Sequence, residues 1–171
     1  MRRNGTVLVI GLSLLTACTP PQHEEPTGQT ASLPSASTAA NPSSDIEVAY
    51  ERFWDIGNSV ISQDPASWNS QLAAVATDPQ LTRMLDNLKT LRARSLTVYG
   101  TTREHLTKVD IDGTTATVLD CQDASESGQA DARSGAHKTV GIPRNPVSAR
   151  MRRDANGTWK VAEISYPGGT C

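Results

Sequence analysis

The sequence predicts an α+β fold in which N-terminal helices pack on an antiparallel sheet. Two changes of period carry this reading. Between Ile46 and Leu91 apolar residues recur at spacings of three and four, the signature of amphipathic helices. From Ser95 onward the period is two, and Asp112-Gly113 and Asn156-Gly157 each read as a two-residue hairpin turn. A chain of 171 residues suits one such domain, placed here at 45–171, and it is long enough to build a core without a metal.

The first 44 residues set the domain's location. Arg2 and Arg3 precede an apolar run from Val7 to Leu15, and small Ala17 stands before a cysteine, which is signal-peptide anatomy. The run is too short to span a bilayer, which takes roughly 20 apolar residues. Leu15-Thr16-Ala17-Cys18 resembles the lipobox of bacterial lipoproteins. That resemblance implies a signal peptide over 1–17 and Cys18 as first mature residue, carrying a thioether-linked diacylglycerol. Each buried methylene contributes about 0.8 kcal/mol, so two or three acyl chains of palmitate length hold a soluble domain on the membrane. Residues 18–44 then read as a lipid-anchored, disordered linker, rich in Pro, Ser, Thr, Ala and Gln and without apolar period. As a flexible coil it reaches about 28 Å.

Ser44-Asp45-Ile46-Glu47 fits a capping box, with Ser44 as N-cap. Ile46, Ala49, Tyr50, Phe53, Trp54, Gly57, Val60 and Ile61 share one face of the helix that follows, ending near Ser62. Tyr50, Phe53 and Trp54 at helical spacing read as core rather than as a ligand box. Asp64-Pro65 and Asp78-Pro79 each resemble an N-cap followed by proline at the first helical position. They open a short helix holding Trp68, Leu72 and Val75, and a longer one striped by Leu81, Met84, Leu85, Leu88 and Leu91.

In the sheet, a turn centred on Asp112-Gly113 sets Val109 against Ala116 and His105 against Asp120. Ile111, Val109, Ala116 and Val118 then face the helices, and Lys108, Asp110, Thr115 and Thr117 face away. A turn centred on Asn156-Gly157 sets Ala149 against Ile164 and Arg150 against Glu163. It also sends Trp159 and Val161 to the outer face beside Arg150 and Arg152, a candidate partner surface. Gln122 to Lys138 shows no pattern and reads as a mobile loop. Strands at 114–121, 140–153 and 158–166 form a meander whose first and third members finish at the same end. Cys121 and Cys171 then come within reach of each other, and the exported location favours a disulfide between them.

This order of elements, closing on Asp154-Ala155-Asn156-Gly157-Thr158-Trp159-Lys160-Val161-Ala162-Glu163-Ile164, resembles the nuclear transport factor two-like superfamily, which includes SnoaL-like proteins. The resemblance covers roughly Asp45 to Cys171 and implies a curved sheet and a cone-shaped domain. A strand that this family often places between its second and third helices has no counterpart in the pattern. Because the fold hosts enzymes and binding modules alike, function must be argued from the site.

Formal charge is −2, and loss of Arg2 and Arg3 leaves 14 basic against 18 acidic residues. No basic cluster along the chain argues for nucleic acid. His23 in the linker and His137 in the loop make no ligand set, so neither a metal nor another cofactor is expected. The favoured reading is a non-catalytic domain, anchored to the cell membrane on its extracytoplasmic face through Cys18, that binds an envelope protein partner or serves as an accessory subunit. One alternative is a carrier of small apolar ligands using the cone interior. Another is an acid/base enzyme in which Asp120 orients His105, the smallest arrangement able to move a proton near neutral pH. Mass spectrometry of the mature chain is expected to find Cys18 at the N-terminus with the added mass of its lipid. An unmodified residue 18, or another N-terminus, contradicts the anchor.

Overall fold

The computed structural model describes residues 42–171. The expected signal peptide, Cys18 and nearly all of the expected linker lie outside the described residues. Helix α1 spans Pro42–Ser59 and tightens into a 3-10 turn over Val60–Ser62, as the apolar period requires. It begins two residues before the capping-box serine, so Ser44 lies in the first turn and Pro42 takes an early helical position that suits proline. Helix α2, Pro65–Ala73, starts as expected: Asp64 accepts from the Ala66 N–H at 2.9 Å, and Pro65 follows it. Helix α3 spans Gln80–Ala93. Here the expectation shifts by one residue, because Pro79 occupies the N-cap position behind a cis Asp78-Pro79 bond. Asp78 nevertheless ties down the first turn, accepting from both the N–H and the hydroxyl of Thr82.

Six strands follow: β1 Leu96–Tyr99, β2 Leu106–Asp112, β3 Thr115–Gln122, β4 Gly128–Asp131, β5 Asn145–Arg153 and β6 Trp159–Ser165. A four-stranded sheet has the order β2-β3-β5-β6, and β1 pairs with β4 in a separate two-stranded sheet. The registers reveal that these are two arms of one bent meander. Leu96 pairs with Asp131, Arg103 with Asp123, Leu106 with Asp120 and Ile111 with Ala116, so a single long hairpin runs from 96 to 131 with a break in the middle. The next hairpin is continuous in the same way. Gln122 pairs with Asn145, Ala124 N–H donates to Ile142 C=O, Gly141 N–H donates to Ser127 C=O, and Ala130 bridges to His137.

The segment Gln122 to Lys138, expected to be an unpatterned loop, is thus the far arm of the meander and contains β4. Glycine makes the crease. A Cβ at Gly100, which sits at φ +71°, would lie 1.9 Å from the Glu126 carbonyl oxygen, and one at Gly141 would lie 2.3 Å from that of Ala124. Any side chain there would push the strands apart.

Both expected hairpin registers need correction, with opposite consequences. In the first, the turn residues are Gly113-Thr114, with positive φ at Gly113, the first central position, as a type II′ turn requires. The pairing slips by two, Val109 meets Val118, and from Lys108 to Val118 the side chains keep their predicted faces; beyond the irregularity between Leu106 and Lys108 the faces exchange, with Leu106 against the core and His105 exposed. In the second, the loop between Asp154 and Thr158 is one residue longer than the expected two-residue turn. Asp154 accepts from the N–H groups of Asn156 and Thr158, and Gly157 takes φ +83°. A bulge opposite Arg150 and Met151 then restores the predicted pairing of Arg150 with Glu163 and Ala149 with Ile164. Between turn and bulge the faces are exchanged. Trp159 is 7 % exposed and Val161 fully buried, so neither belongs to the outer face.

One core cluster joins Ile46, Tyr50 and Phe53 of α1 to Val118, Ala149, Met151 and Val161 of the sheet. A second joins Val60, Trp68, Leu72 and Leu88 among the helices. Between α2 and α3, Ala76 forms a single parallel bridge with Val161 and covers part of the β6 edge, where the sequence showed no strand. Cys121 and Cys171 are disulfide-bonded with their Cα atoms 5.7 Å apart, across a separation of 50 residues. Such a closure contributes about 4 kcal/mol in the chain-entropy model.

Replacing Gly141 by Ala is expected to cost about 2 kcal/mol by overpacking the crease, read as a lower urea midpoint. An unchanged midpoint contradicts the close approach of the two strands.

Candidate functional site

Alternation along β3 points Ala116, Val118, Asp120 and Gln122 inward. The first two meet apolar partners, whereas the last two carry polar groups into the interior beneath the crease. Helix α1 meets Asp120 with Tyr50, whose ring lies edge-on to that of Trp54 one turn later. The Tyr50 hydroxyl donates to Asp120 Oδ2 at 2.9 Å, and the backbone N–H of His105 donates to Oδ1 at 2.7 Å. A register irregularity between Leu106 and Lys108 directs that N–H at the carboxylate, while the His105 carbonyl still accepts from Cys121.

Sequence reasoning therefore found the right carboxylate and the right neighbour but the wrong contact. Asp120 is 3 % exposed, His105 is exposed, and the link between them runs through the backbone. The two do not form the expected imidazole–carboxylate pair across the sheet.

The electrostatics follow from burial. Desolvation raises the Asp120 carboxyl above its ordinary value, and the two donated hydrogen bonds and the nearby His105 only partly offset it. Burial and then the Asp120 charge push the Tyr50 hydroxyl far above its usual range, so it acts as a donor. Glu104, half-buried beside them, is also raised by desolvation first, against hydrogen bonds from its own backbone and Thr102. Thr102 donates to Glu104 at 3.2 Å and accepts from the Asn58 amide at 3.3 Å, which extends the polar layer toward the surface. The Trp54 indole nitrogen is buried with no hydrogen-bond partner among the described residues. The Gln122 amide nitrogen is buried with no acceptor among the described residues. Tyr50, Trp54, Glu104 and Gln122 were not read as site residues. The available signal was the pair of polar residues on the inward register of an otherwise apolar strand.

The expected partner surface keeps only its charged half. Arg150 pairs with Glu163, which also faces Arg83 at 3.7 Å, and Arg152 is exposed. Trp159 instead floors a groove of about 260 Å³ on the helical side. Its walls are Val48, Ala49 and Arg52 of α1, Val75, and the hairpin residue Thr158. Val48 stands 60 % exposed on its rim. The described residues hold no group of His, Cys, Asp and Glu able to ligate a metal, and no helix among them is long and apolar enough to cross a membrane.

No protein-family model matches this chain, and no curated protein matches its sequence. Solved structures resemble it to different degrees, and one shares its architecture. The intermembrane-space region of the chloroplast protein ARC6 aligns over 72% of this chain and 95% of its own, with a TM-score of 0.55 at 14% identity. A conserved protein from Planctomyces limnophilus aligns over 71% and 91%, with a TM-score of 0.47 at 14% identity. A nuclear transport factor 2-like superfamily protein from Salmonella enterica serovar Typhimurium aligns over 75% and 92%, with a TM-score of 0.46 at 12% identity. The likeness to the ARC6 region is one of fold: helices packed on a bent antiparallel sheet.

Because the raised Asp120 carboxyl binds its proton more tightly in the folded chain, the unfolded chain holds fewer protons through the shift window. Its contribution to stability therefore falls as pH rises from the unfolded carboxylate value, about 4, through the raised one. The stability of the parent minus that of Asp120→Asn, from urea unfolding between about pH 4 and about pH 7, is expected to shrink with rising pH and then level. A difference that grows with pH contradicts the assignment.

Proposed function

We propose that the domain is the non-catalytic, partner-binding part of a lipid-anchored extracytoplasmic protein. The observation that carries this is the occupation of Asp120. Both carboxylate oxygens accept internal hydrogen bonds, from Tyr50 and from the His105 backbone, and the residue is 3 % exposed. A general base must reach the proton that it takes, and this carboxylate faces its own chain. Recognition then falls to the outside. The groove over Trp159 offers an apolar floor and the exposed side chain of Val48, with Asp45 and Arg52 also at its border. That pattern suits a protein segment presenting an apolar side chain flanked by charge. The oxidised Cys121–Cys171 pair suits a location outside the cytoplasm.

A photoreactive residue placed at Val48 in intact cells is expected to give a discrete adduct that Ala49→Arg abolishes. No adduct, or equal labelling from a probe at exposed Leu119, contradicts a docking groove.

One observation favours the carrier reading instead. The Gln122 amide is a buried donor without an acceptor, and a small ligand bearing an oxygen would satisfy it. Native mass spectrometry of chain purified from membranes separates the two. A bound small molecule lost in Gln122→Leu supports the carrier.

A further inference from the structure

The far arm of the meander assembles a basic recess that is invisible along the sequence. Arg92 lies in the last turn of α3, and Arg133 lies in the turn after β4. Pairing of β1 with β4 brings these segments together, because Leu96 faces Asp131 and Ala132 N–H donates to Ser95 C=O at 2.9 Å. The two arginines line one recess of about 230 Å³ with Ser95, Thr97, Ile61 and Ala132. No carboxylate lines it. Neither guanidinium joins an ion pair among the described residues.

Two further details prepare the recess for an anion. The Arg92 guanidinium is held 5.9 Å over the Trp68 ring, which limits the freedom that it would lose on binding. Ser95 ends α3 at φ +53°, a left-handed conformation in which glycine is the usual residue, so a hydroxyl stands where the backbone would prefer none. The negative end of α3 opposes an anion, but its last carbonyls are taken by the N–H groups of Arg94 and Ser95. The nearby Asp131 carboxylate is turned into its own loop, accepting from the Arg133 and Ser134 N–H groups and the Ser134 hydroxyl. Arg94 and Lys138, both exposed, add positive charge at this end of a chain whose formal net charge is −2.

We infer that this recess binds a phosphate group, with Arg92 and Arg133 as its charged donors and the Ser95 hydroxyl as its neutral one. Two planar guanidinium forks and a hydroxyl match the several oxygens of a phosphate monoester or diester better than the two of a carboxylate. The phosphate belongs either to a soluble phosphoester or to the headgroup of an anionic lipid, and the recess recognises the chemistry common to both.

The test is an amide NMR titration of the full chain in neutral detergent, with inorganic phosphate in one arm and water-soluble dihexanoyl phosphatidylglycerol in the other. Saturable shifts are expected at Ser95, Thr97 and Ala132. Arg92→Gln with Arg133→Gln is expected to weaken binding at least tenfold, Arg133→Gln alone severalfold, and Arg152→Gln not at all. Binding of the lipid at least tenfold tighter than of phosphate assigns a headgroup, and equal or weaker binding assigns a soluble phosphoester. Shifts that never saturate, that chloride reproduces, or that survive the double substitution in a chain with an otherwise unchanged spectrum overturn the site.

Discussion

A carboxylate held inside the protein organises this fold. Asp120 sits where the meander bends, and its two oxygens tie the hydroxyl of α1 to the backbone of β2 through Tyr50 and His105. Burying such a group costs several kcal/mol if its hydrogen bonds are not made, so helix, crease and sheet must arrive together. The irregularity before Lys108 is the local adjustment that frees the His105 N–H for this role. The crease itself is a matter of space, since glycines there let carbonyl oxygens approach to distances no side chain permits.

The same carboxylate separates inside from outside. With its oxygens met by the chain, Asp120 works as a joint between layers, and its raised proton affinity is a by-product of desolvation. The surface carries two recesses of different character. One is the apolar groove where Trp159 and Val48 meet, and the other is the basic recess where Arg92 and Arg133 converge. Each joins segments far apart in the chain, and at the basic recess the far arm of the meander meets the end of α3 and the 3-10 turn.

Much of this was legible in the residues. The Asp64-Pro65 cap, the apolar stripes, the change of period at Ser95, the pairing of Arg150 with Glu163 and the Cys121–Cys171 bridge all follow from local chemistry and simple geometry. What escaped depended on single residues in turns. Placing Gly113 first rather than second in its turn shifts the register by two, which leaves the faces intact as far as Lys108; the irregularity beyond it turns Leu106 inward and His105 outward. One extra residue before Thr158 shifts the other hairpin by one, and that alone carries Trp159 and Val161 from solvent into the core. The strand Gly128–Asp131 has little intrinsic β preference and forms because a long hairpin continues through it. For the site, Asp120 was visible as a polar residue on an apolar face. Its true partners were not, because a backbone N–H carries no sequence signal and Tyr50 looks like any buried aromatic.

Native-state hydrogen exchange at the His105 amide tests the central claim most directly. If that N–H is locked to a buried carboxylate at the crease, it exchanges only with unfolding of the domain, as slowly as the core amides of β3. Exchange at the rate of an exposed loop amide would mean that the crease opens on its own and that Asp120 does not hold the layers together.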